Sequence, residues 1–295
     1  MNILYLSSER GIELENKHKV MYLDHTSKAG DNFPVEVYEK IREFKPDLLL
    51  EREFNNGLAK YPDIAQFIKD EFPKCKRAVW LIDSHVQLQW HKDYSPLFDY
   101  VFVAISKYVP ILAAHHRSID SKSKVFWLPV SYPGRRDAVV RNQGRVPFDI
   151  VFVGRWGKWF GERNRLIELL KDQYKEKFFA ITDYANMEEY LRQGIISFNR
   201  TFSDDMNFRV FESIANGVEL VTNDVPDLHL IKGLEERINI YHNDQELLDL
   251  IDFILLQKVQ HDVIRTQIWV QNHHCTIHRH NSLLKMLETN IQEEF

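Results

Sequence analysis

Short apolar runs alternate with stretches of helical spacing along the first 130 residues of the chain. After Pro34 the apolar side chains recur at helical spacing, and Lys45-Pro46 ends that pattern before the next apolar run. Strands that alternate with helices in this way form a mostly parallel sheet with helices on both faces. The runs that predict strands are residues 3–7, 47–51, 78–83, 100–106 and 125–130.

A second set of strands and helices follows a segment that is typical of a linker. Residues 131–147 contain two prolines, two glycines and several charged side chains. After it the pattern predicts strands at 148–154, 178–182 and 195–199, a helix at 162–174, and an almost wholly helical region from 244 onward. A chain of 295 residues suits two domains. We therefore expect α/β domains at residues 1–132 and 145–275, and a C-terminal helix at 276–295 that packs on the first domain.

Composition and charge limit the classes of function. The chain is 44% hydrophobic and 27% charged, and no apolar run approaches the roughly 20 residues that a membrane span requires. Met1 leads into a predicted strand without a basic leader, and only two cysteines are present, so we expect a cytoplasmic protein. The formal net charge of -5 disfavours general attraction to nucleic acid.

The segment 154–165 joins a predicted strand to a predicted helix and is rich in glycine and cations. It reads Gly-Arg-Trp-Gly-Lys-Trp-Phe-Gly-Glu-Arg-Asn-Arg, with three glycines and four basic side chains. Glycines such as Gly154 let backbone amides approach an anion, and a helix N-terminus adds unpaired N–H groups. The segment therefore predicts a phosphate site, and a solvated turn is the alternative. The spacing is not the dinucleotide fingerprint, so no nicotinamide cofactor is expected.

The segment 207–217 predicts a short helix with two different faces. Asn207 is placed to cap this helix, and Gly217 is placed to end it in a left-handed turn before a buried strand that begins at 219. Arg209 and Glu212 would point together towards the sheet edge where α/β domains bind ligands. The alternative is a surface ion pair of little energetic value. The apolar face comprises Phe208, Phe211 and Ala215, and the polar face comprises Arg209, Glu212 and Asn216.

An acid and a histidine follow the strand predicted at 78–83. The sequence Val-Trp-Leu-Ile-Asp-Ser-His places Asp83 and His85 just past the end of that strand. Asp83 is our candidate general base, and His85 is the alternative because imidazole exchanges protons readily near neutral pH. In the other interpretation Asp83 caps a turn and His85 only lines the surface.

Two further groupings have structural and functional interpretations. Trp80, Trp90, Tyr94 and Phe98 could stack on a sugar or a base, although aromatic residues near an apolar run are more often core. The histidines between 273 and 280 include a pair at i,i+4 spacing, which is a metal-ligand spacing. We favour a structural role for both groupings and expect no metal site.

The segments Phe-Asp-Ile-Val-Phe-Val-Gly-Arg and Asn-Phe-Arg-Val-Phe-Glu-Ser-Ile-Ala-Asn-Gly resemble the C-terminal half of GT-B glycosyltransferases, over residues 148 to about 285. The nearest likeness is to the spore-maturation CgeB-like group. A phage β-glucosyltransferase that modifies hydroxymethylated DNA is similar more distantly, and it has an aspartate in a context like that of Asp83. The resemblance implies two Rossmann-like doubly wound domains that face each other across a cleft, with the nucleotide sugar bound mainly by the second.

The same resemblance implies roles for individual residues. Glu212 would accept hydrogen bonds from the ribose hydroxyls, while Arg209 and one or both of Arg155 and Arg163 would hold the diphosphate. Asp204 lies eight positions before Glu212, an imperfect form of the E-x7-E motif in which the first acid approaches the donor hexose.

The family also implies a class of reaction. A hexose would move from a nucleotide diphosphate sugar, with UDP-sugar the first expectation, to a hydroxyl of a carbohydrate, a protein or a small molecule, without a cofactor or metal. A non-catalytic nucleotide- or glycan-binding module and a transferase acting on modified nucleic acid are the alternatives.

Overall fold

The computed structural model describes residues 1–7, 14–23, 35–53, 62–133, 146–157, 160–203, 205–257 and 263–295. The chain forms two compact units. The first consists of Met1–Pro129 with Arg279–Glu293, and the second consists of Val130–His278 with Glu294–Phe295. Within the described ranges no helix is both long and apolar enough to cross a bilayer.

The first unit is built on a six-stranded, wholly parallel sheet with the strand order β2-β1-β3-β4-β5-β6. All five predicted strands are present, but β5 ends earlier than predicted. The additional edge strand β2 was not predicted, although it contains the apolar run Val-Met-Tyr-Leu, and it is only half-buried. The strands are β1 (Asn2–Leu6), β2 (Lys19–Leu23), β3 (Leu48–Arg52), β4 (Lys76–Leu81), β5 (Tyr100–Val103) and β6 (Lys124–Trp127). The helices are α1 (Val35–Phe44), α2 (Pro62–Glu71), α3 (Ser84–Tyr94) and α4 (Tyr108–Ser118).

Most of the aromatic residues considered for stacking on a ligand lie in the core of this unit. Trp80 is fully buried, and its indole N–H donates to the carbonyl of Leu128 at 2.9 Å. Tyr94 and Phe98 are buried in the same apolar cluster, and the half-buried Trp90 stacks on Tyr94 with ring centroids 4.7 Å apart. Buried rings of this kind stabilise the sheet–helix interface and leave little surface for a sugar.

The last helix, α10 (Thr276–Thr289), belongs to the first unit from Arg279 onward. The buried Arg279 donates from Nε to the carbonyl of Pro129 at 3.0 Å, and His280 lies 3.2 Å from the Tyr5 hydroxyl. Lys76 donates to the carbonyl of Leu287 at 2.8 Å. The predicted return of the C-terminal helix to the first domain is therefore confirmed.

The second unit has a five-stranded parallel sheet with the order β11-β10-β9-β7-β8. Its predicted strands are confirmed, and β11, which has only three residues, was not predicted. The strands are β7 (Phe148–Val153), β8 (Phe178–Ile181), β9 (Gly194–Asn199), β10 (Glu219–Asn223) and β11 (Asn239–Tyr241). The helices are α5 (Gly161–Tyr174), α6 (Met187–Leu191), α7 (Arg209–Ala215), α8 (Asp244–Gln257) and α9 (Val263–His273).

Each sheet has one point at which the strand order reverses. In the first sheet the reversal lies between β1 and β3, and in the second it lies between β7 and β9. Open parallel sheets bind ligands outside the carboxyl ends of the strands at such a reversal. The two reversals therefore predict where functional side chains should be sought in each unit.

Glu51 gives a test of the packing at the carboxyl end of β3. Burial raises the pKa of its carboxyl group to about 7, the Tyr94 hydroxyl that donates to it at 2.7 Å lowers that pKa, and Glu53 raises it. The folded protein thus holds a proton that an unfolded chain releases near pH 4.5. This contribution to stability is complete below pH 4.5 and is lost as the pH rises through about 7.

Replacing Glu51 with glutamine should remove that pH dependence. The unfolding free energy of the Glu51→Gln variant minus that of the wild type is expected to rise by about 2 kcal/mol from about pH 5.5 to about pH 8. Urea unfolding at both pH values measures the difference, in which contributions common to both proteins cancel. A constant difference between the two proteins would contradict the burial of an ionisable carboxyl group at this position.

Candidate functional site

The turn after β7 presents backbone to solvent at the sheet reversal of the second unit. At Gly154 a Cβ atom would lie 2.8 Å from the Phe152 ring, so this position accepts only glycine without a shift of the ring. Gly157 has a φ of +129°, and the Asn164 side chain accepts from its N–H at 2.7 Å and donates to its carbonyl at 2.6 Å. Around Gly161, which opens α5, no atom of the described neighbours lies within 4 Å of a hypothetical Cβ. The first turn of α5 is therefore open to an anion.

Arg163 connects the two strands that flank this reversal. Its Nε donates to the carbonyl of Arg200, just past β9, at 2.8 Å, and its Nη1 donates to the carbonyl of Arg155, just past β7, also at 2.8 Å. The guanidinium also lies over the Phe160 ring, 4.8 Å from its centroid. One side chain thus fixes the spacing between the carboxyl ends of β7 and β9.

A group of positive charges surrounds Arg163. Burial lowers the pKa of its guanidinium, and the charges of Arg200 and Arg209 lower it further. Tyr184 and Asp205 raise it. Arg200 and Arg209 therefore lie close enough to Arg163 for their charges to act on it, in a chain whose net charge is negative. Such a concentration of cations favours an anionic ligand.

Arg155 and Tyr184 lie at the ends of the adjacent strands β7 and β8. The Arg155 N–H donates to the Tyr184 hydroxyl at 2.9 Å, and the Arg155 side chain is exposed. Tyr184 is 49% exposed, so a flat apolar surface lies beside the cationic group. This combination suits a ligand with a ring as well as a charge.

Helix α7 carries Arg209 and Glu212, but its polar face is not exposed. The guanidinium Nη1 of Arg209 lies 3.1 Å from Oε2 of Glu212, and the two residues are only 7% and 8% exposed. The alternative of a surface ion pair is therefore wrong. All residues of α7 are buried, and Gln267 of α9 donates from its side chain to the carbonyl of Ala215 at 2.6 Å. Packing against α9 encloses a helix that sequence alone presents as amphipathic.

Asn207 does not cap α7 as predicted. The N-cap position is Phe208, and no side chain caps the helix there. Instead, the Asn207 amide donates to Oδ1 of Asn199 at 3.1 Å and accepts from Nδ2 of Asn199 at 3.3 Å. Asn199 is buried at the end of β9, so its amide needs partners, and Asn207 supplies them. Gly217 ends the helix with a φ of +68°, as predicted. Asp204 lies outside the described residues.

The ends of β9 and β10 are joined by a further amide. Oδ1 of Asn223 accepts from the N–H of Thr201 at 2.8 Å, and its Nδ2 donates to the Thr201 hydroxyl at 3.0 Å. In the sequence, Arg200 lies between the buried Asn199 and Thr201, which Asn223 contacts. The sequence reasoning missed Arg200, although it follows β9 directly. A cation within two residues of the end of each of the neighbouring strands β7 and β9 was the available signal.

In the first unit, Asp83 and His85 lie past the carboxyl end of β4, where they were predicted. Both are half-buried, and Asp83 occupies the N-cap position of α3 without a capping hydrogen bond from its side chain. Asp83 therefore takes the N-cap position of α3 without capping this helix through its side chain.

Glu53 and His91 support this turn, and neither was predicted. Oε2 of Glu53 accepts from the N–H of Ile82 at 2.5 Å and from the N–H of Asp83 at 3.2 Å. The same oxygen lies 3.0 Å from Nε2 of His91, and Nδ1 of His91 lies 3.0 Å from the Ser84 hydroxyl. The predicted strand ended at 51, so the pattern gave no reason to connect Glu53 with the turn after β4.

The C-terminal histidines contact separate partners. His274 stacks on Phe211 with ring centroids 5.1 Å apart, Nδ1 of His278 accepts from the N–H of Cys275 at 3.1 Å, and His280 contacts Tyr5. No group of three or more potential metal ligands is found among the described residues. These imidazoles serve packing and hydrogen bonding in the two units.

Residues 136–285, half of the chain, match a family described as glycosyl transferase-like, and this segment contains Arg155, Arg163, Arg209 and Glu212. The chain belongs to this family. Comparison of the sequence with curated proteins gives no match.

Solved structures share the fold of this chain. The family member superposes on Anabaena HepE in complex with UDP with a TM-score of 0.61 and 13% identity, over 98% of this chain and 100% of HepE. For sucrose-phosphate synthase from Thermosynechococcus elongatus the TM-score is 0.58 at 13% identity, over 99% and 100% of the two chains. For the GtfA/B complex the TM-score is 0.52 at 12% identity, over 86% of this chain. This chain spans 59% of the length of the matched chain in that complex. The fold is GT-B, with two Rossmann-like domains.

Proposed function

We propose that this protein transfers a hexose from a nucleotide diphosphate sugar, most simply a UDP-sugar, to a hydroxyl acceptor. The observation that carries the proposal is the group of arginines at the strand reversal of the second sheet, beside the buried Arg209–Glu212 pair. A diphosphate is the anion that matches several guanidinium groups, and a ribose diol matches a carboxylate acceptor. UDP is bound by HepE, which shares the fold.

The second unit holds the donor in this proposal. Glu212 accepts from the ribose hydroxyls, and its ion pair with Arg209 holds its carboxyl group in place. Arg155, Arg163 and the open first turn of α5 at Gly161 surround the diphosphate. Positive charge there stabilises the negative charge that grows on the departing nucleoside diphosphate, so we propose a transfer that needs no metal. Asn207 fixes the segment that leads into α7.

The first unit supplies the base in this proposal. Asp83 takes the proton of the acceptor hydroxyl as that oxygen forms a bond to the anomeric carbon, while the bond from that carbon to the diphosphate oxygen breaks. The configuration is inverted in such a displacement. His85 is the second candidate for the base. The acceptor is a carbohydrate, a protein or a small molecule, because the net charge of -5 does not favour nucleic acid. Membership of the CgeB-like subgroup is also part of the proposal.

A donor-hydrolysis screen tests the proposed activity without knowledge of the acceptor. The protein is incubated with a panel of UDP-, GDP- and ADP-sugars, and the released nucleoside diphosphate is measured. Slow release from one donor class is expected, since a transferase can pass sugar to water. Binding of a nucleoside diphosphate without any release would favour the non-catalytic binding module. No binding and no release across the panel would overturn the proposed function.

A further inference from the structure

The arginines at the edge of the second sheet differ in what their guanidinium groups contact. Arg163 uses its Nε and Nη1 on two backbone carbonyls, those of Arg200 and Arg155. Arg209 faces Glu212 at 3.1 Å and is 7% exposed. The Arg165 guanidinium forms bidentate pairs with Glu162 and Asp244 on the surface. Each of these three guanidinium groups already contacts oxygen atoms of the protein.

Arg200 is different. Within the described parts of the chain its guanidinium makes no hydrogen bond and no ion pair, and the residue is half-buried rather than fully exposed. Its backbone is held on both sides, because its carbonyl accepts from Arg163 and the following N–H of Thr201 donates to Asn223. A cation on a fixed backbone at a strand reversal is pre-organised for an anionic ligand.

The surroundings of Arg200 also favour an anion. Hydrogen bonding to Arg165 is the main cause that lowers the pKa of Glu162, and the charge of Arg200 lowers it further, which places Arg200 near the first turn of α5. That turn offers the open backbone at Gly161. Hydrogen bonds from an arginine guanidinium and from the N–H groups of the first helical turn to the same anion would together strengthen its binding.

We propose that Arg200, together with the exposed Arg155, contacts the donor diphosphate, whereas Arg163 is a positioning residue that holds the carboxyl ends of β7 and β9 at the right separation. This assignment rests on the proposed function and refines it. It differs from the expectation from sequence, in which Arg209 and one or both of Arg155 and Arg163 hold the diphosphate.

Arginine-to-lysine exchanges distinguish the two roles. A lysine at position 200 keeps a positive charge that can reach a phosphate oxygen. A lysine at 163 offers one nitrogen in place of the separate Nε and Nη1 of the planar guanidinium, which donate to two different carbonyls. We therefore expect Arg200→Ala to weaken the binding of a nucleoside diphosphate about 10- to 100-fold and Arg200→Lys to recover most of that loss. Arg163→Lys should weaken binding although charge is retained.

Calorimetry with UDP, GDP and ADP, and with the corresponding nucleosides, tests the assignment. The binding of the nucleoside should be the same in Arg200→Ala and wild type, because the nucleoside has no diphosphate for Arg200 to contact. The matched control is Arg165→Ala, which removes a nearby surface cation and should bind like wild type. Thermal unfolding of each variant shows whether it is folded.

The outcomes separate this inference from the proposed function. If wild type binds a nucleoside diphosphate and Arg200→Ala binds it equally well, the role of Arg200 is wrong and the proposed function stands. If Arg163→Lys binds a nucleoside diphosphate like wild type, and Arg200→Lys binds it as weakly as Arg200→Ala, the two roles are reversed and the inference is overturned. If wild type binds none of the three nucleoside diphosphates, the proposed function itself fails, and this assignment fails with it.

Discussion

The variant Arg209→Met is expected to lose about 3 kcal/mol or more of unfolding free energy. Methionine fills a similar volume but removes the guanidinium that compensates the charge of Glu212. Since Glu212 is only 8% exposed, water cannot replace that compensation at low cost. Urea unfolding at neutral pH measures the loss directly.

A double-mutant cycle separates the charge from the packing. Glu212→Gln alone, and Arg209→Met combined with Glu212→Gln, complete the cycle. The double variant should recover most of the stability, because it carries no buried charge at this position. If Arg209→Met costs less than about 1 kcal/mol, the pair behaves as a surface ion pair and the buried geometry of α7 is contradicted.

The largest effect on catalysis is expected at Asp83. Asp83→Asn should lower the rate of sugar transfer about 100- to 10,000-fold, because asparagine cannot take the proton of the acceptor hydroxyl. Binding of a nucleoside diphosphate should be unchanged, since the donor residues are in the second unit. The measurement compares initial rates of transfer and calorimetric binding for the same preparations.

His85→Asn is the matched control for Asp83. If only the histidine variant loses activity, His85 is the base and the role of Asp83 is wrong. NMR of the product adds an independent check, because a base at this position accompanies inversion at the anomeric carbon. Retention of configuration would remove the stated role of either residue.

Sequence reasoning predicted the architecture well because the buried strands are short, continuous apolar runs. β5 reads Tyr-Val-Phe-Val and β7 contains the run Ile-Val-Phe-Val, as buried parallel strands require. The edge strand β2 was missed although it contains four apolar residues in a row, and β11 has only three residues. Periodicity reports how deeply a strand is buried, so the margins of a sheet are the hardest part to predict.

The candidate site was predicted less completely, because burial of α7 depends on tertiary packing. An Arg and a Glu one turn apart predict an exposed polar face, yet α9 closes over the helix and both side chains are enclosed. Asn207 likewise resembles a cap in sequence, and it pairs instead with an amide eight residues earlier. Local signals identify the segment but not the partners of its side chains.

Single residues past strand ends were missed altogether. Arg200 and Glu53 each follow a buried strand without a motif around them, and their importance comes from neighbours that are distant in sequence. Glu53 accepts from two amides about 30 positions away, and Arg200 is held by Arg163 from the first turn of α5. Only the topology, which brings strand ends to one edge, connects them.

Binding of a nucleoside diphosphate to wild type and to Glu212→Gln, measured by calorimetry, tests the central claim most directly. Glu219→Gln is the control. Glu219 is also a buried acidic residue of this unit, but it is the first residue of β10 and therefore lies at the amino end of that strand, away from the carboxyl ends. We expect binding to wild type and to the Glu219 variant, and a loss of about 10- to 100-fold in the Glu212 variant. Equal binding by the Glu212 variant and wild type would contradict the claim that the Arg209–Glu212 pair holds the nucleotide.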